Sequence, residues 1–240
     1  MKLDDVKKLQ QKKYREELGH FLVEGEHLVL ELQKAAAHIP ALKNSEVYVT
    51  EAHEHWPTDF KKNLVTDKQM AQISDTKTPQ GILAIVPFLP VTIASQNNER
   101  AIYLHEVQDP GNLGTILRTL AWFGNFHLLI SPNSVDPYNP KVVRSSMGAI
   151  FHVTMELDVP LKSLKNRFHK IACLDMQGKP LSDVSLKDFD CYLFGNEARG
   201  VPREHLIELN AQAFTIQGCG AVESLNLASA VNMCAYELTR

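Results

Sequence analysis

Three glycine-bearing stretches hold the residue types that could do chemistry. The first is Asp109-Pro110-Gly111-Asn112-Leu113-Gly114-Thr115-Ile116-Leu117-Arg118. The second is Phe194-Gly195-Asn196-Glu197-Ala198-Arg199-Gly200. The third is Ile216-Gln217-Gly218-Cys219-Gly220-Ala221-Val222-Glu223-Ser224-Leu225-Asn226. Each follows an apolar, strand-like run and mixes glycine with Asn, Glu, Arg or Ser. Glycine lets main chain approach a ligand closely, and the polar groups give that ligand something to bond. Three such loops on one sheet imply one composite site, and so an enzyme. The dinucleotide fingerprint is missing: the Gly111–Gly114 pair lacks its remaining glycine, and no Asp or Glu ends the following strand. A Walker lysine is missing too, which disfavours nucleotide-dependent oxidoreductase and nucleoside-triphosphatase chemistry.

The elements that must position these loops can be read from apolar periodicity. In the first part, strands are expected at 21–25, 46–50 and 81–86, with a helix at 27–37 and a short one at 67–74. This alternation describes a small α/β unit of about 90 residues. Periodicity then fades, and polar, turn-prone residues 95–100 place a domain boundary at 97/98. The second part reads as strands at 101–107, 126–130, 150–153, 170–175, 190–194 and 213–216. Helices are expected at 112–123, 141–148 and 162–169, and a last one starts near Ser224 as its N-cap. Leu227, Val231, Cys234 and Leu238 form the apolar stripe of that helix. Strands alternating with helices imply a mostly parallel sheet, with ligands at its carboxyl end.

Composition sets the remaining bounds. The chain has 240 residues, 44% hydrophobic and 22% charged, with a formal net charge of −3. Such a chain has ample material for a core, and no global nucleic-acid signal. The four cysteines, Cys173, Cys191, Cys219 and Cys234, form no C-x-x-C pair, so zinc and thioredoxin spacings are absent. They read as small buried hydrophobes in a reducing compartment. No apolar run reaches the roughly 18 residues of a membrane span. The charged N-terminus lacks the apolar region of a secretory signal, so a cytoplasmic location is expected. Lysines 2, 7, 8, 12 and 13 with Arg15 bias the first segment positive, a solvated helix face or a phosphate-contacting patch. His105 and His127 read as structural histidines on strands.

The three loops together resemble the motifs of the SpoU (TrmH) family of RNA 2′-O-ribose methyltransferases, within the SPOUT superfamily. The resemblance covers residues 100–240. It extends to Pro140-Lys141-Val142-Val143-Arg144-Ser145-Ser146-Met147-Gly148-Ala149, and Phe21-Leu22-Val23-Glu24-Gly25 resembles the start of the small RNA-binding domain that often precedes the catalytic unit. Gln217, where many relatives carry proline, and Ala198-Arg199 depart from the common pattern. The fold so implied is α/β: a C-terminal, mostly parallel sheet (98–240) with a trefoil knot, after a smaller N-terminal α/β RNA-binding domain (1–97). The resemblance also implies S-adenosyl-L-methionine as cofactor, a homodimer, no metal, and 2′-O-methylation of a ribose in structured RNA. The two-domain layout favours ribosomal RNA. Transfer RNA, or a non-catalytic RNA-binding ribosome-assembly factor on the same fold, are the alternatives.

Residue roles follow from the same resemblance. Arg118 is the residue assigned to the 2′-hydroxyl. Since a guanidinium stays protonated, it suits a clamp on the adjacent phosphate that also stabilises developing oxyanion charge. Asn112 caps its helix or binds RNA. Glu197 orients substrate, braces Arg118, or pairs with Arg199 or Arg203. Ser224 and Asn226 match positions near the target hydroxyl. Gly195, Ile216 and Leu225 match positions that hold the cofactor. Lys12, Lys13, Arg15 and Arg144 are the expected RNA contacts, with Arg144 equally suited to the dimer.

Overall fold

Short apolar runs form most strands of this protein, and side-chain caps start α4, α5, α6 and α9 among its helices. The structure is a computed structural model that describes residues 1–90, 100–181 and 185–240. In chain order the first elements are α1 (Leu3–Lys8), α2 (Lys12–Leu18), β1 (His20–Glu24), α3 (Glu26–Ala36), β2 (Glu46–Val49), β3 (Lys61–Leu64), α4 (Asp67–Ile73) and β4 (Ile82–Pro87). Gly19 ends α2 in the left-handed region at φ 66°, which a side chain would disfavour. Thr66 and Gln69 close a reciprocal capping box on α4. Then follow β5 (Arg100–Leu104), α5 (Pro110–Phe123), β6 (Phe126–Ile130), α6 (Pro140–Ser146), β7 (Thr154–Glu156), α7 (Leu164–Arg167), β8 (Ile171–Pro180), β9 (Cys191–Phe194), α8 (Arg203–Glu208), β10 (Gln212–Thr215) and α9 (Leu227–Thr239).

The described chain forms two compact units. One combines Met1–Pro90 with Asp136–His152, and the other takes the rest. The first contains a mixed sheet of order β1-β4-β2-β3, antiparallel except for β2 with β3. Val6 and Leu9 of the α1 region and Met70 and Ile73 of α4 pack with Leu22, Tyr48, Leu83 and Ile85. Residue Phe21, next along β1, meets Tyr138 and Phe88 in a ring cluster. Tyr138 comes from the inserted segment, so that stretch of the second half belongs to the core of the first unit.

The second unit is a six-stranded sheet of order β10-β8-β9-β5-β6-β7, parallel throughout. Strands β6 and β9 are buried along their whole length, as a sheet covered on both faces requires. Ala101, Tyr103, Cys173, Cys191 and Leu193 pack with Leu164, Leu206 and Leu209 of the α7 and α8 region. Helix α5 packs along α9 and against β6. The order reverses about β5: the chain runs from β5 to β6 and β7 on one side, while β9 lies on the other. That topological switch is where open α/β sheets bind ligands.

Several expectations need correction. The strand expected at 150–153 is a 3-10 turn, Ala149–Phe151, and pairing starts only at Thr154. The N-cap of the last helix is Asn226, whose Oδ1 accepts from the Ser229 N–H at 3.2 Å, and not Ser224. Cys219 is exposed, while the other three thiols are buried, with Cys173 and Cys234 pushed up to about 12 by burial. Strand β3, an edge strand of exposed polar residues, and helix α8 gave no clear periodic signal. The boundary expected at 97/98 lies outside the described residues.

Candidate active site

The three loops leave β5, β9 and β10 of the parallel sheet, and side-chain hydrogen bonds join them. Asp109 caps α5 by accepting from the Asn112 N–H at 2.8 Å, and Pro110 starts the helix where no donor is needed. This fixes Asn112 in the first turn, with its amide free to bridge. Its Nδ2 donates to Glu197 Oε1 at 3.2 Å, and its Oδ1 accepts from Asn226 Nδ2 at 2.9 Å. Glu197 also accepts from the main-chain N–H groups of Gln108 and Asp109, each at 3.2 Å. A carboxylate can only accept, so it dictates the direction of the whole chain: Asn112 donates to it, Asn226 donates to Asn112, and Asn226 Oδ1 is left to cap α9. One continuous path thus runs from the second loop through the first to the third.

The second loop is held from both ends. Asn196 Oδ1 accepts from the N–H groups of Ala198 and Arg199, and its Nδ2 donates to the Glu106 carbonyl at 2.7 Å. Arg199 pairs with Glu106 at 3.0 Å. Arg203 donates to Asp175 and Gln177, both at 2.7 Å, tying α8 to the middle of β8. Neither arginine pairs with Glu197, so that expectation is corrected. A Cβ at Gly195 would sit 2.4 Å from the Gly200 carbonyl carbon, so the glycine is required by the loop folding on itself. Ile216 is half-buried just beyond β10, and residues 217–226 are exposed throughout. Around Gly218 and Gly220 there is open space. Exposed main chain flanked by Ile216 and Leu225 suits a flat heterocycle with hydrogen-bonding edges.

Arg118 is exposed, with no side-chain hydrogen bond or ion pair among the described residues, so Glu197 does not brace it. It shares an outward stripe of α5 with Gly111, Thr115 and Trp122, about 9 Å along the axis from Asn112. Helical side chains lean toward the N-terminus, which directs this guanidinium back toward the start of α5. Ser224 is exposed and likewise makes no side-chain bond among the described residues. The site therefore presents the uncommitted Arg118 and Ser224 side chains beside the Glu197 carboxylate, which accepts three hydrogen bonds.

His127 lies on β6, and His105 follows the end of β5. Burial depresses both His105 and His127. The charge of Glu106 opposes this at His105, and that of Glu156 at His127.

The expected RNA contacts divide. Lys12 and Lys13 are exposed, and Lys12 lies 3.6 Å from Glu16. Arg15 is only 2% exposed and is a correction. Its guanidinium is spent on Asp136 and on the carbonyls of Leu9 and Gln10, where it closes the end of α1. Arg144 pairs with Asp75 at 2.9 Å within the same unit. Sequence reasoning did not single out Asp109, Gln108, Glu106 or Asn196, the supports beneath the site. Only Asp109 had a legible signal, the Asp-Pro pair at a helix start.

Comparison with known proteins agrees with this geometry. Residues 99–236 match the SpoU rRNA Methylase family, and residues 2–84 match the MRM3-like substrate binding domain. The 23S rRNA (guanosine(2553)-2′-O)-methyltransferase of Bacillus subtilis is 29% identical over 99% of this chain and 95% of its own. An uncharacterized tRNA/rRNA methyltransferase of Synechocystis is 30% identical over 98% of this chain and 89% of its own. Among solved structures, an AdoMet-bound rRNA methyltransferase from Sinorhizobium meliloti superposes with a TM-score of 0.80 at 25% identity, covering 98% of this chain and 93% of that one. A TrmH-family protein from Porphyromonas gingivalis superposes at 0.83 with 29% identity, over 98% and 96% of the two chains. With its three loops joined at the switch point of a parallel sheet, the chain belongs to the SpoU rRNA methylase family.

Proposed function

We propose that this protein transfers a methyl group from S-adenosylmethionine to a ribose 2′-hydroxyl of structured RNA, with ribosomal RNA as the substrate class. The observation that carries this is the hydrogen-bonded path Glu197–Asn112–Asn226, which unites the three loops beside an uncommitted Arg118. The donor supplies an activated methyl on a sulfonium. Everything else is positioning: a hydroxyl is a poor nucleophile and must be aligned and relieved of its proton. Gly195, Ile216 and Leu225, with the exposed main chain between them, hold the donor. Arg118 clamps the phosphate next to the target ribose and stabilises the negative charge that grows on the attacking oxygen. Ser224 stands near that hydroxyl, and Asn112, Glu197 and Asn226 keep the loops in register.

The wider reading follows the same family. Residues 1–97 recognise RNA, with Lys12 and Lys13 among the contacts and Arg144 as a further phosphate ligand if its pair with Asp75 opens. Residues 98–240 bind the donor and catalyse, and their chain is tied in a trefoil knot. The protein works as a cytoplasmic homodimer. Its interface includes the outward face of α5 and α9, where Trp122 of α5 and Tyr236 and Met233 of α9 are exposed. No helix among the described residues is long and apolar enough to cross a membrane.

The test pairs Arg118→Ala with the native chain. Transfer of labelled methyl to ribosomal RNA is expected to fall by roughly 100-fold or more, as on losing one transition-state donor. Calorimetric affinity for S-adenosylmethionine should stay within a few-fold. Unchanged transfer removes Arg118 from the mechanism. Absence of transfer by the native protein to ribosomal RNA, with 2′-O-methyl mapping of cellular RNA unaltered by deletion, overturns the function.

A further inference from the structure

The first unit offers an aromatic ring, that of Tyr14, close to two cations, and the mechanism does not use it. Tyr14 is half-buried at the start of α2. The Lys8 ammonium lies 5.8 Å from its ring centroid and the Lys13 ammonium 5.6 Å, both within the range of cation–π attraction. Lys7 and Lys12 extend the positive surface on the same two helices. Lys7 and Lys13 have no ion pair among the described residues. The carboxylates near the others, Asp5 on Lys8 at 2.9 Å and Glu16 on Lys12 at 3.6 Å, are exposed partners that a phosphate can replace at little cost.

The neighbouring residue makes this surface rigid. Arg15 is buried and forms bonds to Asp136 and to the carbonyls of Leu9 and Gln10. It therefore locks α2 onto the end of α1, and the main chain that carries the Tyr14 ring is fixed before any ligand arrives. A preorganised ring loses little entropy on binding.

We propose that Tyr14, flanked by Lys8 and Lys13, is a stacking platform for an unpaired nucleotide of the RNA, with the two ammonium groups taking phosphates on either side of the stacked base. This rests on the RNA-methyltransferase reading above and deepens it. A flat ring with cations close by fits a base with its backbone, because any base has a π-face and each linkage carries one negative charge. An acidic protein segment would use the lysines and leave the ring idle.

The experiment uses the full chain and a fluorescein-labelled oligouridylate, which has no duplex to confuse stacking with shape. Tyr14→Ala is expected to weaken binding roughly ten- to hundred-fold, and Tyr14→Phe to leave it nearly intact. Lys8→Ala with Lys13→Ala should lower the salt slope of log affinity by roughly 1.4, about 0.7 for each phosphate contact on a single strand. Lys43→Ala, an exposed lysine elsewhere in the unit, should change neither. Circular dichroism checks that each variant folds, and the double lysine variant carries the test if Tyr14→Ala does not. Unchanged affinity in Tyr14→Ala overturns the platform, as does equal binding of an oligoglutamate probe. A native chain that ignores oligouridylate yet methylates ribosomal RNA sinks the platform alone. One that binds oligouridylate with the expected losses but transfers no methyl group sinks the methyltransferase reading alone.

Discussion

Glu197 invites a catalytic role as a base, yet its surroundings give it another. Three donors converge on its two oxygens, two of them main-chain N–H groups of the first loop. A carboxylate bonded in this way fastens the second loop to the first. Glu197→Gln keeps the shape but replaces one acceptor oxygen by an NH2 group that must face an N–H. The amide chain through Asn112 and Asn226 then loses its fixed direction. Turnover should fall by roughly 10- to 100-fold, the scale of a small misplacement of reacting groups. The melting temperature should barely move, because the carboxylate is exposed and its bonds compete with water. A steady-state assay beside a thermal melt checks both, and full turnover in this variant removes Glu197 from the positioning role. Asn226 was read from sequence as a group near the hydroxyl. Its amide proves to be divided between the α9 cap, a bond from Ser229 three residues on, and Asn112, 114 residues away, which no local pattern could reveal.

Among the elements, the loop after β9 shows most clearly how packing and site depend on each other. Asn196 and Gly200 exchange main-chain bonds at 3.2 and 2.9 Å, folding the loop into a narrow turn over Gly195. Gly195→Ala would force main chain apart and should cost about 1–3 kcal/mol, with several degrees lost from the melting temperature and weaker donor binding. Gly218, with open space around it, is the contrasting position. Gly218→Ala should leave the melt unchanged, and calorimetry with S-adenosylmethionine then reports on ligand contact alone. The strands and helices of strong periodicity, such as β6 and α5, were legible because one face or both must be apolar. Strand β3 was not, since an exposed edge strand of Lys61, Lys62, Asn63 and Leu64 is held by pairing with β2 and has no buried face to mark it. The turn at Ala149–Phe151 was misread because three buried apolar residues look alike in a strand or a 3-10 turn.

For the whole molecule, the buried His127 and the half-buried His105 set a pH limit. Desolvation lowers His127 and His105 in the folded state, so the unfolded chain binds more protons below the ordinary value of 6.5. Their contribution to stability is complete above that value and is lost as pH falls through the lowered folded value. Urea midpoints should therefore hold near neutrality and decline as the solution is acidified below about 6.5. The variant His127→Gln should show a flatter decline over that window. Parallel curves for the two proteins would mean that His127 does not contribute.

By itself the sequence determined the local matters: where the chain turns, which segments carry an apolar face, and which three loops hold glycine with polar groups. Those follow from backbone sterics and from the period of burial, which act over a few residues. Only the tertiary structure decided what those groups touch. Arg15 and Lys13 look alike in the sequence, yet one is buried against Asp136, 121 residues away, and the other is in water. The inserted segment Asp136–His152 joins the first unit for the same reason. Burial and long-range pairing are decided when distant segments compete for one core, and no short stretch of chain contains both competitors.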